Sequence, residues 1–123
     1  MSAHDPGRVV EDMIHGMVQR GVEALEPHPG MEHLRRLWPS VQAAIPDFGA
    51  ELQQQVVEAD RVASLWTFSG THRGTLFGVP PTNRAVRFQN VSIAKVADDK
   101  VVHYNSETGW LDFLMQVGVL PLK

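Results

Sequence analysis

The sequence predicts an α+β fold: two helices, then four strands in hairpin succession, then a short terminal helix. Three observations carry this reading. Apolar residues recur at steps of three and four up to Ile45, the period changes to two from Phe48 to about Thr108, and helical spacing returns after Gly109. Strands joined by tight turns after a run of helices make a mostly antiparallel, strongly curved sheet. A chain of 123 residues is one domain. Folding at that size buries roughly two-thirds of the unfolded surface, enough for a core and one small-molecule pocket.

The first helix is predicted over Gly7 to Leu25, where Val9, Val10, Met13, Ile14, Met17, Val18, Val22 and Leu25 form the stripe and Asp5 and Pro6 start it. Gly16 and Gly21 weaken it by about 1 kcal/mol each relative to alanine, so its last turns are expected to fray or bend. Glu26 to Gly30 is a breaker. A second helical stripe follows with Leu34, Leu37, Trp38, Val41 and Ile45. Pro39 falls inside it, so either the helix kinks near Arg35 or two short helices abut. The strands are expected at Phe48 to Val57, Arg61 to His72, about Ala85 to Ala97, and Val101 to Thr108, with turns at Glu58-Ala59-Asp60 and Asp98-Asp99-Lys100. Leu111, Phe113, Leu114 and Val117 then form a helix over about 110–117 that ends at Gly118.

Composition sets limits on function. A formal net charge of -3 gives no reason to expect a polyanionic partner, so nucleic acid is not expected as a ligand. The absence of cysteine excludes disulfides, thiolate catalysis and thiolate metal sites. No apolar secretion core opens the sequence, and no run approaches the roughly 18 apolar residues of a membrane span. A cytoplasmic protein without membrane contact is expected. No histidine pair falls at helical i,i+4 spacing, and His28 and His33 are separated by a Pro-Gly breaker, so no metal is expected. Gly70 to Gly74 lacks the length and the Lys-Ser/Thr ending of a phosphate loop.

Particular stretches carry a family resemblance. Pro46-Asp47-Phe48, Ala59-Asp60-Arg61-Val62-Ala63, Trp66 to Gly74 with its Gly-Thr-His, Gly78-Val79-Pro80-Pro81-Thr82, and Asp99 to Val102 followed by Leu114 to Gly118 resemble the SnoaL-like polyketide cyclase family. The resemblance covers about Gly30 to Gly118. It implies a cone-shaped curved, mostly antiparallel sheet of about four to five strands packed against about three helices, open at one end to an apolar pocket. It also implies a homodimer, a small apolar or polyketide-like ligand, no cofactor, and cyclisation by intramolecular aldol condensation. The superfamily includes epoxide hydrolases, isomerases and dehydratases, so the fold leaves the chemistry open.

The family's last strand usually reads Gly-Lys-Ile-Val-Glu-His-Trp and, after three further residues, an Asp that acts as general acid/base. Counted from Lys100, the His position is Tyr104, the Trp position Asn105 and the Asp position Gly109. A glycine transfers no proton, so that mechanism does not carry over unchanged.

Proton abstraction beside a carbonyl needs a base within reach and a donor for the enolate oxygen. Glu107 is the candidate replacement base, or else a solvated glutamate near a strand end. Tyr104, the only tyrosine, is a candidate donor, or a core residue; strand parity places it on the opposite face from Glu107. His103 shares a face with Glu107 and makes a candidate proton relay, or lies exposed. His72 is a candidate acid/base, or pins the Gly-Thr-His loop. Asp47 reads most simply as a cap at the helix-to-strand boundary. Asn90 and Ser92 are candidates to orient a substrate oxygen, and Trp66, Phe68, Phe77, Trp38, Trp110 and Met115 to line an apolar cavity or to serve as plain core.

These residues leave three functions open. One is a polyketide cyclase of natural-product biosynthesis, working through a relocated acid/base or through preorganisation, including pericyclic closure. Another is a binding protein without catalysis. The third is epoxide opening, ether-ring formation, isomerisation or dehydration.

Overall fold

A computed structural model of the protein describes residues 5–25 and 30–119. Helix α1 spans Pro6–Arg20, with the Asp5 carboxylate accepting from Gly7 N at 2.9 Å. It ends at Arg20, five residues short of the predicted reach, with Gly21 as its cap, and a 3-10 turn over Val22–Ala24 replaces its expected last turn. The predicted breaker lies outside the described residues apart from Gly30. Helix α2 runs unbroken over Glu32–Ala44. Pro39 sits on its exposed side with Arg36, Ser40 and Ala43, where water can serve the carbonyl that proline leaves unpaired. Two polar side chains tie α2 to the preceding segment. Trp38 Nε1 donates to Met17 O at 3.0 Å, and Arg35 Nη1 donates to the carbonyls of Val22 and Leu25.

Four strands follow: β1 Gly49–Glu58, β2 Arg61–Thr71, β3 Ala85–Ala97 and β4 Lys100–Thr108. They form one open antiparallel sheet in chain order, closed at the C-terminus by helix α3, Trp110–Gln116. Register shifts at Gln53 in β1 and Val102 in β4 each insert one residue, which bends a strand and adds to the sheet's curvature. Asp98 and Asp99 both take positive φ, 52° and 63°, in the β3–β4 turn, as a two-residue hairpin requires.

Pairing decides which side chains point inward. Cross-strand rows on the inner face read Leu52, Trp66, Asn90, Thr108, then Gln55, Ser64, Ser92, Ser106, then Val57, Val62, Ala94, Tyr104. Helix α1 lies over this face: Gln55 Nε2 donates to Gly7 O at 3.0 Å and to Ser64 Oγ at 3.2 Å, and His15 meets the Trp66 ring edge-on at 5.4 Å. The outer face carries Val56, Val91 and Ile93, 59%, 49% and 56% exposed.

The Gly-Thr-His stretch joins the sheet to α2. The backbone N–H groups of Arg73 and Gly74 both donate to Ala44 O, at 2.8 and 3.0 Å, at the end of the helix. A Cβ on Gly74 would stand 3.0 Å from Ala44 Cα, which accounts for glycine there. Asp47 accepts from Thr71 N and from Thr71 Oγ1, both at 2.8 Å. These bonds, the backbone N–H first and the hydroxyl second, hold its carboxyl below the usual value.

Candidate active site

A cavity of about 380 Å³ opens between α2 and the inner face of β3 and β4. That volume is within the range of small-molecule sites, about 300–1,000 Å³. Its helical wall is apolar, from Leu34, Leu37, Trp38 and Val41 of α2 with Ile14 and Met17 of α1. Phe48, Phe68 and Trp110 continue the apolar lining. Trp38 meets Phe48 at 4.9 Å between ring centroids, Phe48 meets Phe68 at 4.9 Å, and Phe88 behind them meets Trp110 at 5.2 Å.

The inward side chains of the sheet wall are polar and uncharged, Asn90, Tyr104, Ser106 and Thr108, and Asn105 and Glu107 of β4 also reach the lining. An apolar helix stripe facing such a wall cannot close into dry packing without stranding polar groups, and a cavity separates the two. Asn90 Nδ2 donates to Thr108 Oγ1 at 2.8 Å, while Asn90 Oδ1 is buried without a partner. Burial pushes the Tyr104 phenol above its ordinary value of 10.0, and the Ser92 and Ser106 hydroxyls draw it partway back. Ser92 Oγ makes no hydrogen bond of normal geometry, so it acts on Tyr104 as a nearby dipole. Tyr104 is therefore a donor held in its neutral form.

Charged groups stand at the rim. Glu32, His33 and Glu107 border the cavity and are exposed, and among the described residues no lysine or arginine lines it. Gly30, also at the rim, packs its backbone onto β4: with φ at 87°, any Cβ would fall on the Tyr104 carbonyl oxygen. Among the described residues, no three His, Asp or Glu side chains gather as a metal site would need. His28 lies outside the described residues.

Of the residues predicted from sequence, Tyr104, Asn90, Phe68, Trp38 and Trp110 line the cavity and Glu107 borders it. The structure places the rest as follows. His103 and Glu107 share the outer face of β4, opposite Lys95 and Val91, and of the two only Glu107 reaches the cavity's border, so the structure does not bring them together at the site. The bulge at Val102 precedes Tyr104 and does not reverse this parity. His72 is fully buried outside the cavity; its Nδ1 meets Thr82 Oγ1 at 2.9 Å and its ring packs on Phe113, pinning the loop. Trp66 lies beneath α1, and Ser92 is buried behind the cavity lining. Phe77 is on the outside with φ 53°, its ring 4.9 Å from Trp110, so it backs the wall instead of forming it. Met115 does not line the cavity.

Sequence reasoning placed Ile14, Met17, Leu34, Leu37 and Val41 on apolar helix stripes and missed them as lining. The available signal was the polar composition of the sheet face that the α2 stripe must meet. Glu32 and His33 were missed as rim residues, and no local pattern marks them.

The fold is shared with solved proteins. AclR, a candidate hydroxylase from Streptomyces galilaeus, superposes with a TM-score of 0.87 at 23% identity, over 99% of this chain and 86% of that one. IdmH, a candidate polyketide cyclase from Streptomyces antibioticus, gives 0.80 at 24% identity, over 94% and 100%. A candidate SnoaL-like polyketide cyclase from Jannaschia gives 0.74 at 15% identity, over 98% and 99%. At these identities the likeness is one of fold. No curated protein matches the sequence. The SnoaL-like polyketide cyclase family matches residues 1–117, and the chain, with three helices on a curved, unclosed four-stranded antiparallel sheet, belongs to that family.

Proposed function

We propose that the protein is a small-molecule enzyme of natural-product biosynthesis that closes a ring within a polyketide-derived substrate, chiefly by holding the chain in its attack geometry. One observation carries the reading: the cavity pairs an apolar helical wall with a sheet wall of neutral hydrogen-bonding groups, while its carboxylates stand at the rim. The apolar wall would fold the chain, and Tyr104 would donate to the carbonyl oxygen as an enol carbon of the same chain attacks it, the enol O–H proton ending on the new hydroxyl so that no external base is consumed. Holding two ends of one chain in place is worth up to about 7–11 kcal/mol. No step in this reading calls on a cofactor.

In the same reading Gly109 occupies the place of the family's proton-transferring Asp. Its neighbours Thr108 and Trp110 line the cavity, but Gly109 brings no carboxylate to it. The exposed Glu107 on the outer face is a poor substitute. Epoxide or ether-ring chemistry wants an acid and a base facing one another across the cavity; Asp47 is engaged by Thr71 outside the lining and does not serve.

The test is ring closure of linear polyketone and polyene substrates, followed by mass spectrometry with and without the protein. Accelerated closure that survives Glu107→Gln supports preorganisation. A fall of more than tenfold in that variant restores Glu107 as the base, and binding without closure makes the protein a binder.

A further inference from the structure

Among the described residues four buried side-chain atoms lack a hydrogen-bond partner: Trp66 Nε1, His72 Nε2, Asn90 Oδ1 and Ser92 Oγ. Only Asn90 belongs to a residue that lines the cavity. Its amide has one committed half, with Nδ2 donating to Thr108 Oγ1 at 2.8 Å, which leaves Oδ1 as an unpaired acceptor on a residue 4% exposed. A buried acceptor without a donor is costly and rare, and at a cavity wall the natural donor is a ligand.

Tyr104 lies two inner-face rows away, with the Ser92–Ser106 row between them. The Asn90 and Tyr104 side chains both belong to the cavity lining. The wall thus carries an acceptor at Asn90, shut off from solvent until a ligand seats against it, and a neutral donor at Tyr104. No lysine or arginine among the described residues faces the cavity to neutralise an anion, and Glu32 and Glu107 at the rim repel one.

We propose that Asn90 Oδ1 and the Tyr104 hydroxyl form a neutral subsite that takes an uncharged ligand through an enol or phenol O–H. The ligand hydroxyl donates to Asn90 Oδ1, and a further ligand oxygen accepts from Tyr104. Thr108 is a positioning residue, because its hydroxyl holds one half of the amide and leaves the other half for the ligand. The proposal rests on the reading above that this cavity is where substrate binds, and it adds the class of group recognised: hydroxylated or enolised, not carboxylate.

The experiment compares 2-naphthol, 2-methoxynaphthalene and 2-naphthoate at pH 7, by calorimetry or by the fluorescence of Trp38 and Trp110. One neutral hydrogen bond in a dry site predicts 2-naphthol binding about tenfold more tightly than its methyl ether, with 2-naphthoate weakest. Asn90→Leu is expected to bring the first two within about twofold by weakening 2-naphthol alone. Thr108→Val, which frees the amide to turn, is expected to shrink the preference as well. It serves as the decisive variant should Asn90→Leu not fold. Equal binding of 2-naphthol and its ether by the unmodified protein, or a preference that survives these variants, overturns the subsite but leaves the cavity reading intact. Failure of both neutral probes to bind, or equal binding to a cavity-filling Leu37→Trp variant, overturns both.

Discussion

The inner and outer faces of β4 alternate residue by residue, and nearly every chemically useful side chain on the strand belongs to one of two unequal sets. Inward go Tyr104, Ser106 and Thr108, buried or half-buried and uncharged; outward go His103, Asn105 and Glu107, all exposed. The titratable residues that look most like a catalytic pair are therefore exposed, His103 away from the cavity and Glu107 at its rim, while the inward side chains of β4 are neutral. Strand parity, set by pairing with β3, decides the chemistry before any pKa does.

The largest expected break in this comparison is in stability. Tyr104→Ala should cost about 3–5 kcal/mol through the void it leaves in the inner layer. His103→Ala on the outer face should stay within about 0.5 kcal/mol. Urea unfolding of both distinguishes the faces, and equal losses would mean that the parity is misjudged. At the strand's free edge, Gly30→Ala meets both a positive φ and the Tyr104 carbonyl, and should cost at least about 1–2 kcal/mol in the same measurement.

The pH limbs should separate next. Tyr104 has its folded value raised, so its contribution is complete below the ordinary 10.0 and is lost as pH climbs from there through the raised value. Tyr104→Phe should flatten the alkaline limb of stability against pH. Asp47 has its value lowered from 3.8, so its contribution is present above that and disappears as pH falls through the lowered value. Asp47→Asn should flatten the acid limb, by the small amount an exposed group can supply.

Much of this was legible in the sequence, because strand alternation and tight-turn chemistry are local. All four strands lie where periodicity puts them, Asp98-Asp99 makes the expected turn, and the opposite facing of Tyr104 and Glu107 follows from counting residues. What counting cannot supply is which face is inside, since both faces of β4 carry polar residues. That depends on α1 and α2 covering one side. The same long-range packing hides Trp66 under α1 and turns the α2 stripe from core into cavity wall. Between the two roles the sequence left open for His72, acid/base or pin of the Gly-Thr-His loop, its surroundings fit the pin, since Thr82 and Phe113 enclose it. The helix that stops at Arg20 shows Gly21, with φ at 85°, ending what periodicity alone would continue, while Gly16 is kept inside it.

The most direct measurement is the rate of ring closure with a linear polyketide-derived substrate in two variants side by side, Glu107→Gln on the outer face and Asn90→Leu on the inner. The expected result is a change of less than about tenfold for Glu107→Gln and a larger loss for Asn90→Leu. The reverse order, with Glu107→Gln abolishing closure and Asn90→Leu sparing it, would contradict a neutral, preorganising cavity wall.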